Sequence, residues 1–117
     1  MTQPVLDWLR HLARAVSARQ LYPADHPRVV NAVRVLYDLT LLLLADRPET
    51  SLFMVEGRLT WNGDLVPGGD GVAGRAFDLL QAKGRDRITF RQGIEPDELD
   101  RLLTGLAAKD PVELQAT

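Results

Sequence analysis

The chain has 117 residues, 45% of them hydrophobic, and a mass of 13.0 kDa; a folded chain of this size buries about two-thirds of its unfolded surface, enough for one core and one domain. With 14 Lys and Arg against 16 Asp and Glu the net charge is only −2, and the absence of Cys excludes a disulfide framework, a thiolate zinc site and a cysteine nucleophile. The longest apolar stretch, residues 41–45, falls far short of the roughly 20 residues that span a bilayer, and Asp7 and Arg10 interrupt any secretion signal, so a cytoplasmic domain is expected.

Pro4 suits the first turn of a helix, and Val5, Leu9, Leu12 and Val16, flanked by Leu6 and Ala13, recur at helical spacing to about Leu21. Pro23 and Pro27 break this helix, and Pro27 restarts a second one that runs to about Ala45 before Asp46-Arg47-Pro48 stops it. So short a linker predicts an antiparallel pair. Residues 51–55 and Leu59-Thr60-Trp61 form a hairpin around Glu56-Gly57, and Asn62-Gly63 turns the chain again toward Leu65-Val66 as a short third piece. A short helix follows, marked by Val72, Ala73, Ala76, Phe77 and Leu80 and ended by Gly84 in the left-handed position. Arg87-Ile88-Thr89-Phe90-Arg91 alternates as a half-buried strand, with Ile88 and Phe90 inward. Glu95 caps a last helix with Pro96 in its first turn, Ile94 stapling onto Leu99, and Leu99, Leu102, Leu103 and Leu106 as its buried stripe. The expected fold is a two-layer α+β domain over residues 1–109, order ααββαβα, with a helix hairpin and two shorter helices on a small, largely antiparallel sheet. Residues 110–117 read as a tail or the start of a linker.

The run Leu21-Tyr22-Pro23-Ala24-Asp25-His26-Pro27-Arg28-Val29, after an amphipathic helix, resembles an N-terminal module of multidomain bacterial signalling proteins. In that module a Leu-Tyr-Pro-x-x-His-Pro helix hairpin precedes HD-type phosphohydrolase or HEAT-repeat regions. The segments Gly57-Arg58-Leu59-Thr60-Trp61-Asn62-Gly63-Asp64-Leu65 and Ile88-Thr89-Phe90-Arg91-Gln92-Gly93-Ile94 look like it too, so the resemblance spans about residues 5–107. It implies a non-catalytic module, because the metal ligands of the neighbouring phosphohydrolase have no counterpart here and no His-Asp pair occurs.

Gly69-Asp70-Gly71-Val72-Ala73-Gly74 matches the letters of a dinucleotide-binding loop, but Pro67 interrupts the preceding strand and Arg91 stands about where the ribose-binding acid belongs. It reads as a flexible connection, with a small-ligand or nucleotide site built from Gly69, Gly71, Gly74 and Arg75 as the alternative. His11 and His26 are the only histidines; with no partner at ligand spacing, neither a metal nor a cofactor is expected, and His11 reads as solvated beside Asp7 and Arg14. Arg85, Arg87 and Arg91 are expected on one face of their strand, with Lys83 nearby. Without interleaved aromatics, and with acids outnumbering bases over residues 48–117, this cluster argues against nucleic acid.

The second helix does not balance. Val29, Ala32, Val33, Leu36, Leu39 and Leu43 gather on one side and Asn31, Arg34 and Asp38 opposite, yet the polar side turns apolar at Leu41, Leu42 and Ala45. Either the sheet or the tail covers these residues, or they belong to an interface with a second copy or another protein domain, in which Tyr22 and His26 join them as candidates. The expected function is protein–protein interaction or oligomerisation without catalysis and without membrane association.

Overall fold

The computed structural model describes residues 2–67 and 71–108; Gly69 and the expected tail over 110–117 lie outside them. The elements are α1 (Thr2–Leu21), α2 (Pro27–Asp46), β1 (Glu49–Val55), β2 (Arg58–Trp61), β3 (Asp64–Leu65), α3 (Val72–Ala82), β4 (Arg87–Arg91) and α4 (Pro96–Ala107). This is the expected α+β order, with the fold-back after Asn62-Gly63 appearing as the two-residue strand β3. The sheet is antiparallel throughout, in the order β3-β2-β1-β4.

Alternation decides which face of the sheet is covered. Thr50, Leu52, Leu59, Trp61, Ile88 and Phe90 are buried toward the helices, whereas Glu49, Val55, Arg58, Arg87, Thr89 and Arg91 are exposed on the other face. Trp8 of α1 stands at the centre of the covered side. Its ring meets Trp61 of β2 edge-on at 5.2 Å between centroids and Phe90 of β4 at 5.5 Å, linking α1 to two strands that are not neighbours in the sheet. The indole Nε1 donates to Thr40 Oγ1 at 2.8 Å, and that hydroxyl donates to the Leu36 carbonyl at 2.7 Å. Because Trp8 lies early in α1 and Thr40 late in α2, while a short corner joins the opposite ends, the two helices are antiparallel.

This bond rotates α2 from its expected setting. Its fully buried positions are Val29, Leu36, Thr40 and Leu44, and Leu39 and Leu43 are only half-buried. Hydrophobic pattern alone cannot place a threonine at the centre of the stripe; the indole's need for an acceptor does. Two further bonds hold the end of α2 to the segment between β4 and α4: Tyr37 Oη donates to the Ile94 carbonyl at 3.0 Å, and Gln92 Nε2 donates to the Leu44 carbonyl at 3.1 Å.

The turns follow from local chemistry. Asn62 has φ 53, accepts from Ser51 N–H through its side-chain Oδ1 at 2.9 Å and donates its backbone N–H to the Ser51 carbonyl at 2.8 Å, so one residue, through side chain and backbone together, extends the β1–β2 ladder past the end of β2. At the end of α3, Gly84 with φ 63 donates to the Gln81 carbonyl at 3.1 Å and Arg85 to the Leu80 carbonyl at 2.9 Å, the paired bonds of a Schellman motif. That turn also corrects the placement of Arg85. Its backbone closes α3, and its guanidinium Nη2 lies 3.3 Å from where a Cβ on Gly105 of α4 would stand, away from Arg87 and Arg91. Two smaller differences concern α4: Leu102 is only half-buried, and Glu95 occupies the cap position without a side-chain cap bond, its carbonyl accepting from Glu98 N–H at 3.0 Å instead.

Three substitutions test this packing by thermal or urea unfolding. Thr40→Val strands the buried Trp8 N–H and should cost about 1–3 kcal/mol. Thr50→Val should be neutral or stabilising, since Thr50 is buried with no partner for its Oγ1, so the same isosteric change acts in opposite directions at the two sites. Gly105→Ala should stabilise α4 by about 0.5–1 kcal/mol, because only the flexible end of Arg85 has to yield.

Candidate functional site

The corner between α1 and α2 is built from Tyr22 and His26. Their rings stack at 4.2 Å between centroids and 22° between planes, and the Arg28 guanidinium lies over Tyr22 at 5.6 Å. His26 is the N-cap of α2: with φ −65 and ψ 139, its Nδ1 accepts from Arg28 N–H at 3.1 Å. Pro27 at the next position has no N–H to satisfy, so histidine and proline together settle the first turn. Along α2, His26 and Leu42 are separated by about 24 Å at 1.5 Å per residue, so Tyr22 and His26 form no common patch with Leu41, Leu42 and Ala45. His11 is half-buried rather than solvated. Its Nδ1 donates to the Asp7 carbonyl at 2.8 Å.

The glycine-rich loop does not converge on one site among the described residues. Gly71, the N-cap of α3 with φ 70, lines a shallow hollow of about 310 Å³ with Arg10, Arg14 and Arg75. Gly74 lines a different hollow, beside Gly57, Arg58, Phe77 and Asp78. A phosphate cradle needs successive backbone N–H groups aimed at one point, and Gly71 and Gly74 face different spaces.

On the exposed face of the sheet, β1 and β4 meet in three rungs. Arg91 Nε pairs with Glu49 Oε2 at 2.8 Å, the Ser51 and Thr89 hydroxyls lie 3.0 Å apart, and the Arg87 guanidinium covers the Phe53 ring at 4.7 Å. Both arginines of β4 are therefore engaged by cross-strand neighbours.

The end of α2 is different. Leu42 is 69% exposed and Leu41 40%, and since consecutive helical residues point about 100° apart they flank the outer side of the helix, with Ala45 between them. Leu41 lies toward the flank of Tyr37. On the other flank Leu42 joins the half-buried Leu39 and Leu43 along a groove of about 570 Å³, whose opposite wall is Pro4 and Val5 at the start of α1 and whose end is Trp61. Asp7, Asp46 and Arg47 stand among the residues that line it. The sequence reading picked out Leu42 but missed the groove; the i, i+3, i+4 spacing of Leu39, Leu42 and Leu43 was its one visible trace.

No group of His, Cys, Asp or Glu able to hold a metal ion occurs among the described residues, and no helix there is long and apolar enough to cross a membrane. Comparison with protein-family models, curated proteins and solved structures finds no match to the chain.

The corner makes a direct prediction. His26→Ala should lower stability by about 0.5–2 kcal/mol, the range for loss of an N-cap, and His26→Asn should recover most of it because the amide oxygen also accepts from Arg28 N–H. A melting temperature unchanged by His26→Ala would show that the cap contributes nothing.

Proposed function

We propose that this domain is a non-catalytic protein-interaction or oligomerisation module, of the bacterial signalling or regulatory kind that the Leu-Tyr-Pro-x-x-His-Pro resemblance implies. The observation that carries the reading is the apolar end of α2. Leu42 stands 69% exposed at the lip of a groove walled by Leu39, Leu43, Pro4 and Val5. Burying one such leucine is worth about 1.5–3 kcal/mol, so a partner that covers this surface gains binding energy from a helix already held rigid by Trp8 and Gln92.

The two histidines support a non-catalytic role, because each already serves the backbone: His26 caps α2 and His11 bonds the Asp7 carbonyl. The glycine-loop alternative gains no comparable support, since Gly71 and Gly74 line separate hollows.

A photoreactive amino acid at position 42, introduced into the whole protein in living cells, should give a discrete covalent adduct with a protein. The same probe at Gln81, exposed on α3, serves as the control. Equal and diffuse labelling from both positions would sink the interaction reading.

A further inference from the structure

We infer that the occupant of the α2 groove is a second copy of this chain, docked about a two-fold axis so that Leu42 of each copy enters the groove of the other. The inference rests on the interaction reading above and names its partner.

A symmetric contact uses one patch twice, so the patch must contain both halves of the fit. This one does. Leu42 is the protruding half, 69% exposed, and the recess between Leu39, Leu43, Pro4 and Val5 lies directly beside it. On a surface made for a different protein, the knob and the recess need not occur side by side on the same chain.

Charge points the same way. The groove is lined by residues of both signs, Asp7 and Asp46 against Arg47, and Asp7 already has Arg10 at 3.8 Å. Neither Asp46 nor Arg47 has an ion-pair partner among the described residues. A strongly acidic or strongly basic partner would match one sign and oppose the other, whereas a second copy facing this end of α2 across a two-fold axis brings its Arg47 to Asp46 and its Asp46 to Arg47. The net charge of −2 adds little repulsion between copies.

Light scattering or sedimentation equilibrium on the whole chain tests this. The wild type should approach twice 13.0 kDa as its concentration rises through the micromolar range. Leu42→Glu should raise the dissociation constant about thirtyfold or more, the effect expected of a central contact residue, with an unchanged circular dichroism spectrum. Pro4→Trp should weaken the dimer as well by filling the recess from α1, which reads the same contact without altering α2, and Gln81→Glu should leave it intact. A wild type that stays at 13.0 kDa at every accessible concentration, or a dimer that survives both Leu42→Glu and Pro4→Trp, overturns the inference. An adduct from the position-42 probe whose mass is not that of two chains overturns it too, while leaving the interaction reading in place.

Discussion

The bond from Trp8 to Thr40 couples every layer of this domain. An indole buried without an acceptor would lose the hydrogen bond it makes in water, a cost of about 1–3 kcal/mol, and Thr40 Oγ1 is in place to receive it. That requirement sets the rotation of α2 on α1, while the same indole, through its edge contacts with Trp61 and Phe90, sets how the helix pair sits on the sheet. The hydroxyl meets its own need by donating to the Leu36 carbonyl within α2, so no member of this short network is left unpaired.

The rotation determines what α2 presents to solvent. With Thr40 and Leu44 turned fully inward, Leu39 and Leu43 move to the margin and Leu42 turns outward beside them. An α2 centred on Leu39 and Leu43 would have closed the groove with its own side chains. The apolar surface at the end of α2 therefore follows from satisfying one buried N–H group, and the bond from Gln92 to the Leu44 carbonyl ties the last turn to the segment after β4.

Features encoded by neighbouring residues were legible in the sequence. Gly84 announces its left-handed turn, Asn62-Gly63 announces the fold-back to β3, and the alternation of Ile88 and Phe90 shows which face of β4 is buried. Features that depend on partners distant in the chain were not. Thr40 looks like a gap in an apolar stripe until Trp8, 32 residues earlier, is placed against it. Arg85 looks like a member of the β4 row until the turn after α3 directs its side chain to Gly105. Leu41 and Leu42 stand about 100° apart on α2, and which of them meets the groove depends on how the helix is rotated against α1, just as the stacking and capping roles of Tyr22 and His26 depend on how the corner closes.

The central strand carries a hazard that the finished fold conceals. Residues 50–55 of β1 read Thr-Ser-Leu-Phe-Met-Val, a six-residue window rich in β-formers with no charge, glycine or proline, which is the composition that stacks into fibrils when its edges are free. In the native sheet both edges are taken, one by β2 across a two-residue turn and the other by β4, which enters only after α3 has been traversed. The Arg91–Glu49 pair spans 42 residues of chain, so closing this second edge costs more loop-closure entropy than closing the β1–β2 hairpin. Detaching β4 bares the second edge of this run, and the charged residues Glu49 and Arg91 at one end of that seam stand as gatekeepers for the apolar run beside them.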